Sequence, residues 1–456
     1  MVLSSPPSQD VALLSVAPAS ADRPAPVGPA AVAAPPALTL SGSVRLRYEA
    51  LGGQVRPGVG RGEDVTVLRT ILSAEYRVGR LRFGGELYDS RAYGADRGGV
   101  LSTTDVDALE PVQAYVAADL GRPFGPGSSA AVQLGRMTLN LGSRRLVAAD
   151  DYRNTTSGYT GLRFDAKSAH GKTLTLIYVA PQVRLPEDTA SLRANRVRLD
   201  TEGADLLLWG GVAAMPLPGK AVLELEYFGL AEKDAPGRPT RNRDLDSYGA
   251  RLVRAPQAGR LDYELEAIAQ TGTIRASLDP AARTLGVSAG FVHAEAGYQF
   301  AAAWKPRLSL EYDWASGDRG GGRYNRFDTL YGFRRADFAP SGILSDIGRA
   351  NVDMPGVRLE VTPGPRLDGF VHYALMWLAS PTDAFSTSGV RDPAGNSGRF
   401  AGGLLEGRVR YWIVPGALRL ELNGALIAKG RFLETAPNAP RTGDTAYGSA
   451  AMTVSF

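Results

Sequence analysis

From Leu40 onward the chain alternates between apolar and polar side chains. In Val44-Arg45-Leu46-Arg47-Tyr48-Glu49 every second residue is apolar, the period of a strand with two unlike faces. The same rule sets Leu68, Leu72 and Tyr76 against Arg69, Ser73, Glu75 and Arg77, and Leu223, Leu225 and Tyr227 against Glu224 and Glu226. Further on, Leu261, Tyr263 and Leu265 oppose Asp262, Glu264 and Glu266, and Leu308, Leu310, Tyr312 and Trp314 oppose Ser309, Glu311 and Asp313. About eighteen such segments recur, each of roughly nine to eleven residues, the length a tilted strand needs to cross a bilayer. The last of them sets Ala450, Met452, Val454 and Phe456 against Ser449, Thr453 and Ser455, and it ends on an aromatic.

The connections alternate as strictly as the residues do. Tight turn signals lie at 78–80, 121–128, 169–171, 216–219, 255–259, 304–306, 362–365 and 414–416. Between them come longer polar stretches at 51–64, 92–109, 140–157, 182–202, 232–243, 273–285, 317–354, 380–400 and 430–443. A transmembrane antiparallel β-barrel has short periplasmic turns and long extracellular loops, whereas a soluble sandwich or propeller need not alternate them. The pattern therefore predicts an all-β outer-membrane barrel with both ends of the wall in the periplasm. Apolar faces would meet lipid and charged faces a wet lumen. Tyr76, Tyr227, Tyr312, Trp314, Tyr411 and Trp412, near strand ends, would sit at the membrane interface.

Composition narrows the class further. There are 54 glycines, 18 tyrosines against 14 phenylalanines, and no cysteine; mean hydropathy is −0.13. A helical membrane protein needs runs of about twenty apolar residues, and none occurs. Lack of cysteine removes disulfides, thiol catalysis and thiolate metal sites. A net charge of +4 gives no reason to expect nucleic acid. Residues 1–39 are rich in Ala and Pro and read as a disordered leader or signal remnant. They contain an apolar patch at 11–16 and an Ala19-Ser20-Ala21 stretch like a cleavage site, but no Lys or Arg before Arg23. The barrel is assigned to 40–456.

The predicted inward charges are unevenly placed. Arginines dominate the early strands (Arg45, Arg47, Arg69, Arg77, Arg82) and return late (Arg358, Arg366, Arg408, Arg410, Arg419). Carboxylates dominate the middle: Glu224, Glu226, Asp262, Glu264, Glu266, Glu295, Glu311 and Asp313. Closing the barrel would bring the arginines into one wall facing an acidic one, a transverse field favouring polar solutes. The alternative is that these charges pair across strands and solvate the interior. His170, His293 and His372 have no metal-ligand spacing, and no nucleophile elbow is present. No catalytic residue, metal or cofactor is therefore expected; His293 with Glu295, or His372, are the starting points for a barrel enzyme.

Two stretches carry a family resemblance. The first runs Leu134-Gly135-Arg136-Met137, Leu141-Gly142-Ser143-Arg144-Arg145-Leu146, Asp151-Tyr152-Arg153-Asn154-Thr155 and Gly161-Leu162-Arg163. The second is Glu311-Tyr312-Asp313-Trp314-Ala315-Ser316-Gly317-Asp318 followed by Phe327-Asp328-Thr329-Leu330-Tyr331-Gly332, with Glu86, Asp89, Ser90, Arg91 and Gln113-Ala114-Tyr115 in keeping. Together they resemble the alginate-export family of outer-membrane porins. The resemblance implies a monomeric eighteen-stranded barrel that exports an anionic polysaccharide through an arginine-rich constriction. It makes Arg136, Arg144, Arg145, Arg153 and Arg163 substrate contacts, with Asp165 and Asp313 as balancing acids. A planar guanidinium can hold a uronate carboxylate by two hydrogen bonds.

Two departures count against simple transfer. Inward acids are as numerous as inward arginines, so no uniformly cationic funnel is evident. Strict alternation from Val132 and Leu134 also points Arg136 at lipid unless a bulge at Gly135 turns it inward. The 317–354 connection would either fold into the mouth as a constriction or stand exposed. The sequence thus predicts a passive channel for hydrophilic solutes, exporting a polysaccharide such as alginate. The alternatives are an uptake porin for small anions or oligosaccharides, a barrel enzyme, or an adhesin. The implied partners are outer-membrane lipid and the barrel-assembly machinery.

Overall fold

The computed structural model describes residues 37–456 except Arg97, Ala336 and Ser341; the leader and its cleavage-like stretch, within residues 1–36, lie outside the described residues. In chain order the strands are β1 (Leu38–Gly52), β2 (Gly62–Val78), β3 (Leu81–Tyr93), β4 (Asp107–Gly121), β5 (Ser129–Thr138) and β6 (Gly158–Lys167). They continue as β7 (Thr173–Pro181), β8 (Leu206–Leu217), β9 (Ala221–Glu232), β10 (Asp244–Arg254), β11 (Arg260–Arg275), β12 (Thr284–Gln299) and β13 (Arg307–Ala315). After the two-residue β14 (Arg323–Tyr324) come β15 (Val352–Gly364), β16 (Leu367–Trp377), β17 (Phe400–Val414), β18 (Leu418–Lys429) and β19 (Thr445–Ser455). Because β1 already begins at Leu38, the expected leader boundary at 39 falls inside the first strand.

Every strand but β14 pairs antiparallel with its sequence neighbour, and β1 pairs with β19, so eighteen strands close into a barrel. β14 lies in the longest connection and adds parallel to β12. At the seam Arg45 stands opposite Thr453 and Arg47 opposite Ala451. Gly42 and Phe456 exchange both main-chain hydrogen bonds, at 2.9 and 3.0 Å.

The burial pattern is that of a soluble sheet turned inside out. Leu261 and Leu310 are 65% and 66% exposed, while Glu264 and Asp313 are 4% and 1% exposed. Apolar side chains on the outer surface and charges inside are what a lipid-facing barrel requires. Tyr76, Tyr312 and Tyr411 are exposed on the outer face as expected. Trp412 is not: it shares the pleat of Arg410, and the Arg419 guanidinium lies 5.3 Å from its ring. An arginine-lined interior gives that ring a cation to stack on, which lipid cannot.

The apolar core sits inside the lumen, where the long connections pack. Leu139, Leu141, Leu146 and Val147 join Phe327, Phe338, Ile343 and Leu344 in one buried cluster. These long segments have too many apolar residues to remain in water, and the barrel interior is where they bury them. Phe338 and Arg349 are completely buried, so the 317–354 connection folds into the barrel.

Candidate functional site: a crossbar through an arginine-lined lumen

The connection from β5 to β6, residues 139–157, crosses the lumen. At one side Ser143 donates to Glu266 of β11 at 2.8 Å, and Arg145 forms ion pairs with Glu264 and Glu266 of the same strand. At the other side Arg45 of β1 donates to the carbonyls of Asp151 (2.9 Å) and Arg153 (2.8 Å). Arg69 of β2 donates to the same two carbonyls at 3.1 Å, Arg47 donates to the carbonyl of Tyr152, and its guanidinium lies 4.5 Å from the Tyr152 ring. In the strand order β11 stands almost opposite β1, so this segment is a bar fixed to facing walls. The Tyr152 hydroxyl adds a 2.7 Å hydrogen bond with Tyr447 of β19, and Asn154 donates to the carbonyls of Leu68, Arg91 and Asp105.

A second connection, 316–351, braces the bar. Its Tyr331 pairs with Val147 in a parallel bridge, and the main chains of 144–148 and 331–333 exchange hydrogen bonds. Asp337 accepts from Arg145 at 2.7 and 2.9 Å and also pairs with Arg349. These cations hold the Asp337 carboxyl well below the usual range in spite of burial. Arg335 reaches Glu406 of β17 (2.8 Å) and Asn423 of β18 (3.1 Å), and the Ile343 amide donates to Glu49 of β1 at 3.0 Å. The connection 378–399 packs behind, with Asp383 on Arg326 at 2.7 Å and Asn351 donating to the carbonyls of Ser380 and Ala384. A cavity of about 240 Å³ lies among these segments, lined by Tyr324, Phe327, Arg326, Arg334 and Arg349.

The arginines expected from the family motif are therefore placed differently than expected. Arg145 is 1% exposed and saturated by three carboxylates; it fixes the bar and cannot meet a solute without unpairing all three. Arg144 pairs with Asp151 at 2.9 Å, and Arg153 pairs with Asp150 at 2.8 Å, so both stabilise the bar itself. Arg163 does face the interior, held by Asp165 at 2.7 Å. No bulge turns Arg136 inward: register runs on from Leu134–Leu162 to Arg136–Thr160. Its charge is met at the rim by Glu110 (2.6 Å) and Glu202 (2.8 Å).

The two walls are less segregated than the sequence suggested. Arg251 of β10 enters the acidic side, 2.7 Å from Glu224 and 3.0 Å from Glu264. Arg307 of β13 pairs with Asp262, Glu295 and Glu360. With Arg145 added, most middle carboxylates are neutralised where they stand, and the acidic wall becomes a net of ion pairs. Arg251 follows the same alternation that singled out the acids and was available to that reasoning; Arg145 arrives from a loop and was not.

On the basic wall the partners vary. Arg47 pairs with Glu49 at 2.6 Å, Arg358 with Glu360 at 2.9 Å while stacking on Phe370 at 3.8 Å, and Arg408 and Arg410 share Asp368. Arg77 lies toward the turn end, 3.3 Å from Glu75 and well exposed. Arg45 and Arg69 differ. They face each other across β1 and β2, both are buried, and their donors go to carbonyls, which carry only partial charge. His293 pairs with Asp313 at 2.9 Å, not with Glu295, and His372 lies 3.3 Å from Glu406 and 3.4 Å from Glu311.

A model of the alginate export family matches residues 37–446. No curated protein matches the chain in sequence. Among solved structures, a BenF-like porin from Pseudomonas fluorescens Pf-5 superposes with a TM-score of 0.59 at 13% identity, covering 92% of this chain and 99% of that one. The Pseudomonas aeruginosa porin OccK2 (OpdF), in complex with glucuronate, gives 0.57 at 14% identity, over 91% and 98%. Outer membrane protein OpdK from Pseudomonas aeruginosa gives 0.54 at 15% identity, over 92% and 99%. At these identities the structures share the barrel fold.

Proposed function

Because the chain belongs to the alginate export family and forms an outer-membrane channel, we propose that it passes uronate-bearing solutes, and that its established family direction, export of an anionic polysaccharide, applies here. The observation that carries this reading is the facing pair Arg45 and Arg69 beside the crossbar. Two positive charges rest there on neutral carbonyls of the crossbar. An anionic carboxylate that reaches this pair gains charge-assisted hydrogen bonds that the carbonyls do not equal. On this reading passage is passive diffusion through the channel.

A second reading, uptake of small uronates, is favoured by the bar, which is tied to both walls and leaves less room for a polymer than an unobstructed barrel. The glucuronate in the OccK2 complex lends that reading a chemical parallel. Planar-bilayer recordings distinguish the two. Oligouronates that block current with residence times rising with chain length support the polymer path; block by the monouronate alone supports uptake. R45Q/R69Q should reduce anion over cation selectivity and weaken uronate block about tenfold, the loss of one charged contact or slightly more. A cation-selective wild-type pore that ignores uronates would sink both readings.

A further inference from the structure

At the rim, beside the end of the crossbar, three carboxylates converge. Asp107 and Glu110 are the first and fourth residues of β4, at its long-connection end, and Asp200 sits in the 182–205 connection. They are 1%, 0% and 6% exposed, and one oxygen from each lies within 4.8 Å of the others. Two main-chain amides fix the arrangement: Leu185 donates to Asp200 Oδ1 at 2.8 Å, and Asp200 donates to Glu110 Oε2 at 2.9 Å.

The positive charge supplied there is too small for three acids. Arg136 contacts Glu110 at 2.6 Å but divides itself with Glu202. Arg184, nearby, donates to the Thr156 carbonyl and the Ser157 hydroxyl. Asp107 Oδ1 is buried and receives no hydrogen bond, although it belongs to the side chain that completes the triad. A buried carboxylate oxygen without a donor is costly to maintain, and a cation is the partner this geometry lacks. The other convergent groups differ: Asp337, beside His293 and Asp313, already carries Arg145 and Arg349.

We propose that Asp107, Glu110 and Asp200 bind a calcium ion that clamps the 182–205 connection onto the rim of β4. An all-oxygen, carboxylate-rich donor set suits a hard divalent cation. Calcium accepts the irregular geometry of residues drawn from a strand and a loop, whereas magnesium demands a near-ideal octahedron. The site adjoins the end of the crossbar, because Arg184 of the clamped connection grips Thr156 and Ser157. Nothing in the spacing of these three residues signals a metal site, since Asp200 is distant in sequence and only the loop's fold delivers it.

The test uses the folded full-length protein in detergent, stripped with EDTA and titrated with calcium chloride by calorimetry, with folding followed by heat-modifiable gel migration. One saturable site at or below millimolar calcium is expected, with a rise in thermal midpoint. D107N and D200N should each weaken binding about tenfold or more, and E202Q by less than about threefold. D107N removes the unmatched charge, so the metal-free variant should fold at least as well as wild type; D200N gives an independent second reading. No binding at 5 mM calcium, unchanged affinity in both variants, or magnesium binding as tight as calcium would overturn the proposal.

Discussion

Asp346 is fully buried, and the Arg56 guanidinium reaches it at 2.8 Å without forming a directed hydrogen bond. Burial outweighs that attraction and the more distant Lys429 and Arg334, pushing the carboxyl up to about 7. A folded-state value above the unfolded one means the neutral acid is the form the loop prefers. Its stabilising contribution is complete below about pH 4 and fades as pH rises through about 7. Protection of the 342–347 amides, taken relative to the intrinsic base-catalysed exchange rate at each pH, should therefore fall between pH 5 and pH 8, and D346N should abolish that fall. At pH 8 that variant should protect the segment by on the order of a few kcal/mol relative to wild type. Equal pH profiles for the two proteins would refute the assignment. Residues of this kind were legible only as charges in a long loop; burial, which decides their chemistry, comes from contacts with Arg56 far back in the chain.

At the scale of elements, Arg145 is the residue that ties the crossbar by charge to the β11 wall. Its three carboxylates come from β11 and from the second long connection. Removing it leaves buried acids facing one another, a loss of about 3–5 kcal/mol for a broken buried pair. R145A should therefore release the bar from the β11 wall while the eighteen-stranded wall, held by its own ladders, stays intact. Single-channel conductance should rise, and gel migration should remain that of a folded barrel. Unchanged conductance would mean that the bar does not limit flow. The strands themselves were readable from alternation, and the loops from turn residues, because both are local properties. That the 139–157 loop turns inward was not readable, since its anchors lie more than a hundred residues away at Glu264 and Glu266.

For the whole molecule, closure is the event on which everything else rests, and it is made where β1 meets β19. A side chain at Gly42 would place its Cβ 2.7 Å from the Phe456 ring and 2.7 Å from the Ile71 carbonyl. G42L should therefore hold the seam open and cut the yield of folded barrel several-fold in the outer membrane. Gly448, across the same seam, has nothing within 4 Å of such a Cβ, and G448A should assemble normally; equal yields would remove the steric account of the seam. The sequence by itself determined the wall: strand number, the lipid-facing and lumen-facing sets, and the alternation of turns and loops all follow from a period of two and from residues adjacent in the chain. Only the tertiary structure decided what stands inside it. Ion pairing is set by distance in space, so Arg145, Arg251 and Arg307 neutralise acids that the sequence left as an unopposed wall, and Arg45 and Arg69 are the wall arginines that hold the crossbar by its carbonyls.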